Sequence, residues 1–74
     1  MEEKLRNVFA DALGATKDQV TDDLKYAEFP NWDSVAHMTL IAAIEEAFDI
    51  MIDAEDVIDM SSFAKAKQIV AKYL

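Results

Sequence analysis

The chain has 74 residues, 53% of them hydrophobic, with one glycine, one proline and no cysteine. That length suits one small domain, residues 1–74, and the apolar content suits a packed core rather than a disordered tail. Seven Lys and Arg against fifteen Asp and Glu give a net charge of −8, which argues against nucleic acid as a partner, because phosphate binding needs clustered cations. Without cysteine there is no disulfide, no thiolate metal site and no thiol nucleophile. No apolar run approaches the roughly 20 residues of a membrane span. The charged opening Met1-Glu2-Glu3-Lys4-Leu5 does not read as an export signal. The expectation is a cytoplasmic, monomeric domain that holds together by helix packing alone.

So little Gly and Pro predicts an all-α fold, since sheets need turn residues more often. In the first segment, Glu2 to Leu13, the residues Leu5, Val8, Phe9, Ala12 and Leu13 form one helical stripe. Gly14 suits the left-handed position that ends a helix. Residues 15–33 read as a long connection with scattered apolar anchors at Val20, Leu24, Phe29 and Trp32. A connection of this length in a small domain is commonly functional. Pro30 stops any helix there and favours an extended Phe29.

A second helix starts at Asp33-Ser34 and runs to about Phe48, with either residue able to cap it. Leu40, Ile41, Ile44 and Phe48 make its core face. Val35, Met38 and Ala42 widen the apolar arc beyond what one core contact needs. Either the long connection covers that extra arc, or it is exposed as a partner site. After a link from Asp49 to Ile52, Asp53-Ala54-Glu55-Asp56 opens a brief third helix with acids in its first turn. Ser61-Ser62 starts the last helix, whose stripe is Phe63, Ala66, Ile69, Val70 and Tyr73. The expected fold is a small four-helix bundle of three long helices and one short one.

Charge is distributed unevenly. From Tyr26 to Ala64 there are nine acids and no Lys or Arg, while the segments on either side nearly cancel. A field of that kind steers basic partners. The run from Asp49 to Glu55 lacks the acid and glycine that a calcium loop would want at Met51 and Ala54, so no metal site is expected. His37 follows Ser34 by three residues and shares its helix face. A hydrolytic pair also needs an orienting acid and an oxyanion hole, and no glycine-rich turn supplies one. The expectation is a protein that is not an enzyme.

The stretch Asn31-Trp32-Asp33-Ser34-Val35-Ala36-His37-Met38 resembles the Asp-Ser-Leu signature of acyl and peptidyl carrier proteins. The likeness extends along nearly the whole chain. Ile44-Glu45-Glu46-Ala47-Phe48-Asp49 is similar to the acidic close of that family's second helix, and Ile52-Asp53-Ala54-Glu55-Asp56 to its next segment, with Asp53 in place of a proline. The resemblance implies that Ser34 carries a 4′-phosphopantetheine arm, attached from coenzyme A. It implies that Asp33 helps present the serine to a phosphopantetheinyl transferase and its Mg²⁺. The arm's thiol would hold an acyl or aminoacyl group as a thioester for delivery to biosynthetic enzymes. An acyl-activating ligase and acyl-transferring or condensing enzymes would dock through Arg and Lys around an apolar hollow.

On that basis Val35, Met38, Glu45, Glu46, Glu55 and Asp56 are the expected docking surface. Leu40, Ile44, Val57 and Met60 are expected to line a space for a short acyl chain between the second and third helices. Trp32, Pro30 and His37 depart from the pattern of housekeeping fatty-acid carriers, and the Trp32-Asp33-Ser34 entry resembles specialised ones. The competing reading is an unmodified acidic adaptor that binds a basic protein through the same helix.

Overall fold

The computed structural model describes all residues from Met1 to Leu74. Four α-helices follow in order: α1 Glu2–Leu13, α2 Ser34–Phe48, α3 Ala54–Asp59 and α4 Phe63–Tyr73. A single 3₁₀ turn, Lys17–Gln19, interrupts the long connection. The bundle is thus all-α, with three longer helices and one of six residues. No helix is long and apolar enough to cross a membrane.

Each helix ends where local chemistry ends it. At the close of α1, Gly14 takes φ 65°, a left-handed conformation that a Cβ would strain. Asn31 in the long connection donates to the Leu13 carbonyl at 3.1 Å, satisfying one of the acceptors that a helix end leaves open. Asp49 ends α2 in the same left-handed region, at φ 55°. Its neighbourhood is held by Glu45, whose carbonyl accepts from Ile50 N and whose Oε2 accepts from Ile52 N at 2.9 Å. Ser62 caps α4, its hydroxyl accepting from Lys65 N at 3.0 Å. Asp53 stands at the cap of α3 without a side-chain cap bond.

The core gathers apolar residues from every long helix, and no buried residue is polar or charged. Leu5 and Phe9 of α1, Leu40 and Ile44 of α2, and Phe63 and Val70 of α4 are completely enclosed. The long connection is tied to this core by Val20, Leu24 and Trp32. Trp32 meets the Phe9 ring edge-on at 5.5 Å, and Phe9 meets Phe63 at 5.1 Å. Such pairs add about 0.5–1.5 kcal/mol each beyond the area they bury.

Backbone bonds fasten the same segment to the start of α4. Phe63 N donates to Leu24 O at 3.0 Å and Tyr26 N to Ser61 O at 2.8 Å. The connection therefore lies against the α3–α4 link and leaves the outer arc of α2 open. Val35 is 76% exposed and Met38 61%.

Candidate functional site

The start of α2 divides two tasks between neighbouring residues. Asp33 is the cap: its backbone is extended, and its Oδ1 accepts from Ala36 N at 2.8 Å. Ser34 is the first helical residue and is exposed. Its hydroxyl makes no hydrogen bond within the protein, so it does not cap the helix. The backbone N–H groups of Ser34 and Val35 also lack protein acceptors. Unpartnered N–H groups at a helix start, together with the helix dipole, favour an anion on this side chain.

Beside Ser34 lies an open hollow of about 370 Å³. Its walls are Ser34, His37 and Met38 from α2, and Val57 and Ile58 from α3. Met60 and Ser61 of the following link close one side, and Tyr26 of the long connection closes another. Most of these residues are hydrophobic, yet the site opens on solvent next to a free hydroxyl. An apolar recess with a few polar groups is the usual form of a small-ligand site.

His37 has no freedom to serve Ser34 as a base. Its Nδ1 accepts from the indole Nε1–H of Trp32 at 3.0 Å, and its Nε2 lies 2.8 Å from the Val57 carbonyl. An indole nitrogen only donates and a carbonyl only accepts. With Nδ1 accepting from the indole, Nε2 is the nitrogen that donates to Val57, and both nitrogens are engaged. No group of three metal-ligating side chains converges anywhere in the molecule.

The remaining residues singled out in the sequence take different places. Val35, Met38, Glu46 and Glu55 are exposed. Glu45 is half-buried and holds Ile52 N, so its carboxylate is spent inside the molecule. Asp56 is engaged in the same way. Its Oδ1 accepts from Lys72 Nζ at 2.8 Å and its Oδ2 from the Tyr73 hydroxyl. The Lys72 bond and then the Tyr73 bond hold the Asp56 carboxyl below its ordinary value. The same contacts raise Lys72 and Tyr73 above theirs. Val57 and Met60 line the hollow, whereas Leu40 and Ile44 are wholly buried in the core and are not part of its wall.

Three wall residues, Tyr26, Ile58 and Ser61, escape sequence reading. So does the exposure of Ile58, at 80%, and of Met51, at 85%. A six-residue helix is too short to show a stripe, so which way Ile58 faces has no sequence signal.

The family described as "Phosphopantetheine attachment site" matches residues 3–70. An acyl carrier protein of Akkermansia muciniphila is 36% identical over 72 residues, covering 97% of this chain and 90% of that protein. Acyl carrier proteins of Guillardia theta and Buchnera aphidicola are 33% and 31% identical, over 95% and 100% of this chain and 86% and 95% of their own lengths. The chain belongs to the acyl carrier protein family of phosphopantetheine-binding proteins. It has the family's general carrier function and, like its relatives, is not an enzyme.

Proposed function

We propose that Ser34 is the attachment point of the 4′-phosphopantetheine arm, joined to its hydroxyl as a phosphodiester. The observation that carries this reading is the arrangement at the start of α2. Asp33 does the capping, which leaves the Ser34 hydroxyl exposed and without a partner. Two N–H groups beside it suit a phosphate, a contribution of about 0.3–1 kcal/mol from the helix dipole. When bound, the arm supplies a thiol on which an acyl or aminoacyl group travels as a thioester. The protein supplies the tether, a recess and a docking face.

The hollow bounded by Met38, Val57, Ile58 and Met60 receives part of the arm or a short acyl cargo. Val35 and Met38, flanked by Glu46 and Glu55, form the docking surface. Glu45 and Asp56 support that surface from within, because their carboxylates hold the frame. Partners are a phosphopantetheinyl transferase, an acyl-activating ligase and acyl-transferring or condensing enzymes that offer Arg and Lys around an apolar hollow. Asp33, one of whose oxygens is free of the cap, stands ready to meet the transferase and its Mg²⁺.

The Trp32-Asp33-Ser34 entry is the ground for reading the chain as a specialised carrier. On this reading the chain works in the cytoplasm as a monomer.

The test is intact mass after incubation with coenzyme A and a broad-specificity phosphopantetheinyl transferase. The natural chain should gain one arm and Ser34→Ala none. A natural chain that gains nothing, as an unmodified adaptor would, or a Ser34→Ala chain that is still modified, would overturn the assignment.

A further inference from the structure

We propose that His37 is a positioning residue that keeps the hollow beside Ser34 in shape, and that its protonation loosens α3 and widens the hollow. The imidazole sits between three parts of the fold. It belongs to α2, accepts from Trp32 of the long connection and donates to the Val57 carbonyl of α3. Trp32 stacks against it at 6.0 Å and Tyr26 meets it edge-on at 5.5 Å. No residue of α3 is fully buried, so this short helix depends on a few ties. Asp56 is tied to Lys72 and Tyr73 of α4, and the tie nearest the hollow is His37 to Val57.

Adding a proton changes the geometry in a defined way. A cationic imidazole donates from both nitrogens. Nδ1–H would then face the indole N–H at 3.0 Å, donor against donor. Turning the ring over does not help, because both nitrogens carry hydrogen. Trp32 is 1% exposed and packed on Phe9, so the imidazole is the group that moves. Leaving the indole draws Nε2 away from Val57, and α3 loses its tie at the wall of the hollow.

The groups around His37 allow that change to be read cleanly. From the connection it faces the phenol of Tyr26, and from α3 a backbone carbonyl. On its own helix, Asp33 lies one turn back with its Oδ1 on Ala36 N. The nearest acid before Val57 on α3, Asp56, is bound to Lys72 and Tyr73; beyond Val57, Asp59 is exposed, and Ser61 of the link is uncharged. No ion pair of the molecule includes His37. Histidine is the side chain that ordinarily changes charge between about pH 5 and 8.

The functional meaning rests on the reading that the hollow receives the arm or its cargo. The test does not, because it uses the unmodified chain. The Trp32 indole N–H resonance and the exchange protection of the α3 amides are followed by NMR across that pH range. The indole resonance should titrate together with the His37 ring, and α3 protection should fall roughly three- to tenfold on the acid side, the weight of one lost hydrogen bond. His37→Gln can still accept from Trp32 and donate to Val57 but cannot take up a proton there, so it should keep α3 protected and remove the pH dependence. Constant α3 protection in the natural chain, or the same pH profile in His37→Gln, would overturn the proposal.

Discussion

Asp33 and Ser34 are adjacent polar residues at a helix start, and either could have been the cap. Asp33 takes that role with a 2.8 Å bond to Ala36 N, and the hydroxyl next to it is thereby released. The two positions should respond differently to truncation. Asp33→Ala should lower unfolding free energy by about 1 kcal/mol, the usual worth of a side-chain cap. Ser34→Ala should change it by no more than about 0.5 kcal/mol, since it removes an exposed group with no partner and adds a good helix former. Urea denaturation of the two variants checks this. Equal losses would mean that the serine shares the capping.

At the scale of elements, α3 is the part of the fold whose placement depends on polar ties. Asp56 lies in a clamp with Lys72 and Tyr73 that joins α3 to the end of α4. These bonds hold the Asp56 carboxyl below its ordinary value, so the unfolded chain takes up that proton first as pH falls. The clamp's contribution is therefore complete at neutral pH. It is lost as pH drops through the ordinary carboxylate range towards the lowered value. Stability curves at neutral and acid pH should show a smaller acid loss for Asp56→Asn than for the natural chain. An unchanged acid loss would show that the clamp carries no linked proton.

The long helices were legible because their signals are local. The α1 stripe runs up to Gly14, and the over-wide apolar arc of α2 marks the face that stays open at Val35 and Met38. The candidate site was legible at Ser34 and its immediate neighbours and, across the hollow, at Val57 and Met60. Its recess depends on where Tyr26 and Ile58 meet α2, which no sequence period records. Glu45 and Asp56 read as surface acids because sequence does not say where a carboxylate points. Glu45 reaches a backbone N–H seven residues on, and Asp56 a lysine sixteen residues away. Leu40 and Ile44 were recognisable as apolar and inward, but not as core rather than recess.

Over the whole molecule, Arg6 and Lys67 pair with acids of the N-terminal third, and Lys72 reaches Asp56 of the central stretch. Arg6 bridges Glu2 and Glu3, and Lys67 bridges Glu2 and Asp22. The stretch from Tyr26 to Ala64 has no cation of its own, and Glu46 and Glu55 there are exposed without an ion pair. If Val35 and Met38 form the proposed docking face, exposed charges of this kind act on its partners through encounter rate. Glu46→Lys with Glu55→Lys should slow loading by a cognate ligase severalfold at low salt. The deficit should shrink as salt screens the field, over about 8–10 Å at physiological strength. Equal rates at every ionic strength would remove steering from the account.

Three serines are present, Ser34, Ser61 and Ser62. Ser62 is committed to capping α4, while Ser61 is exposed and also borders the hollow. Fragmentation mass spectrometry of the chain loaded from coenzyme A therefore tests the assignment at the level of the atom. The arm should be found on the peptide containing Asp33-Ser34-Val35 and nowhere else. An arm on Ser61 would contradict the claim that the released hydroxyl at the head of α2 is the tether.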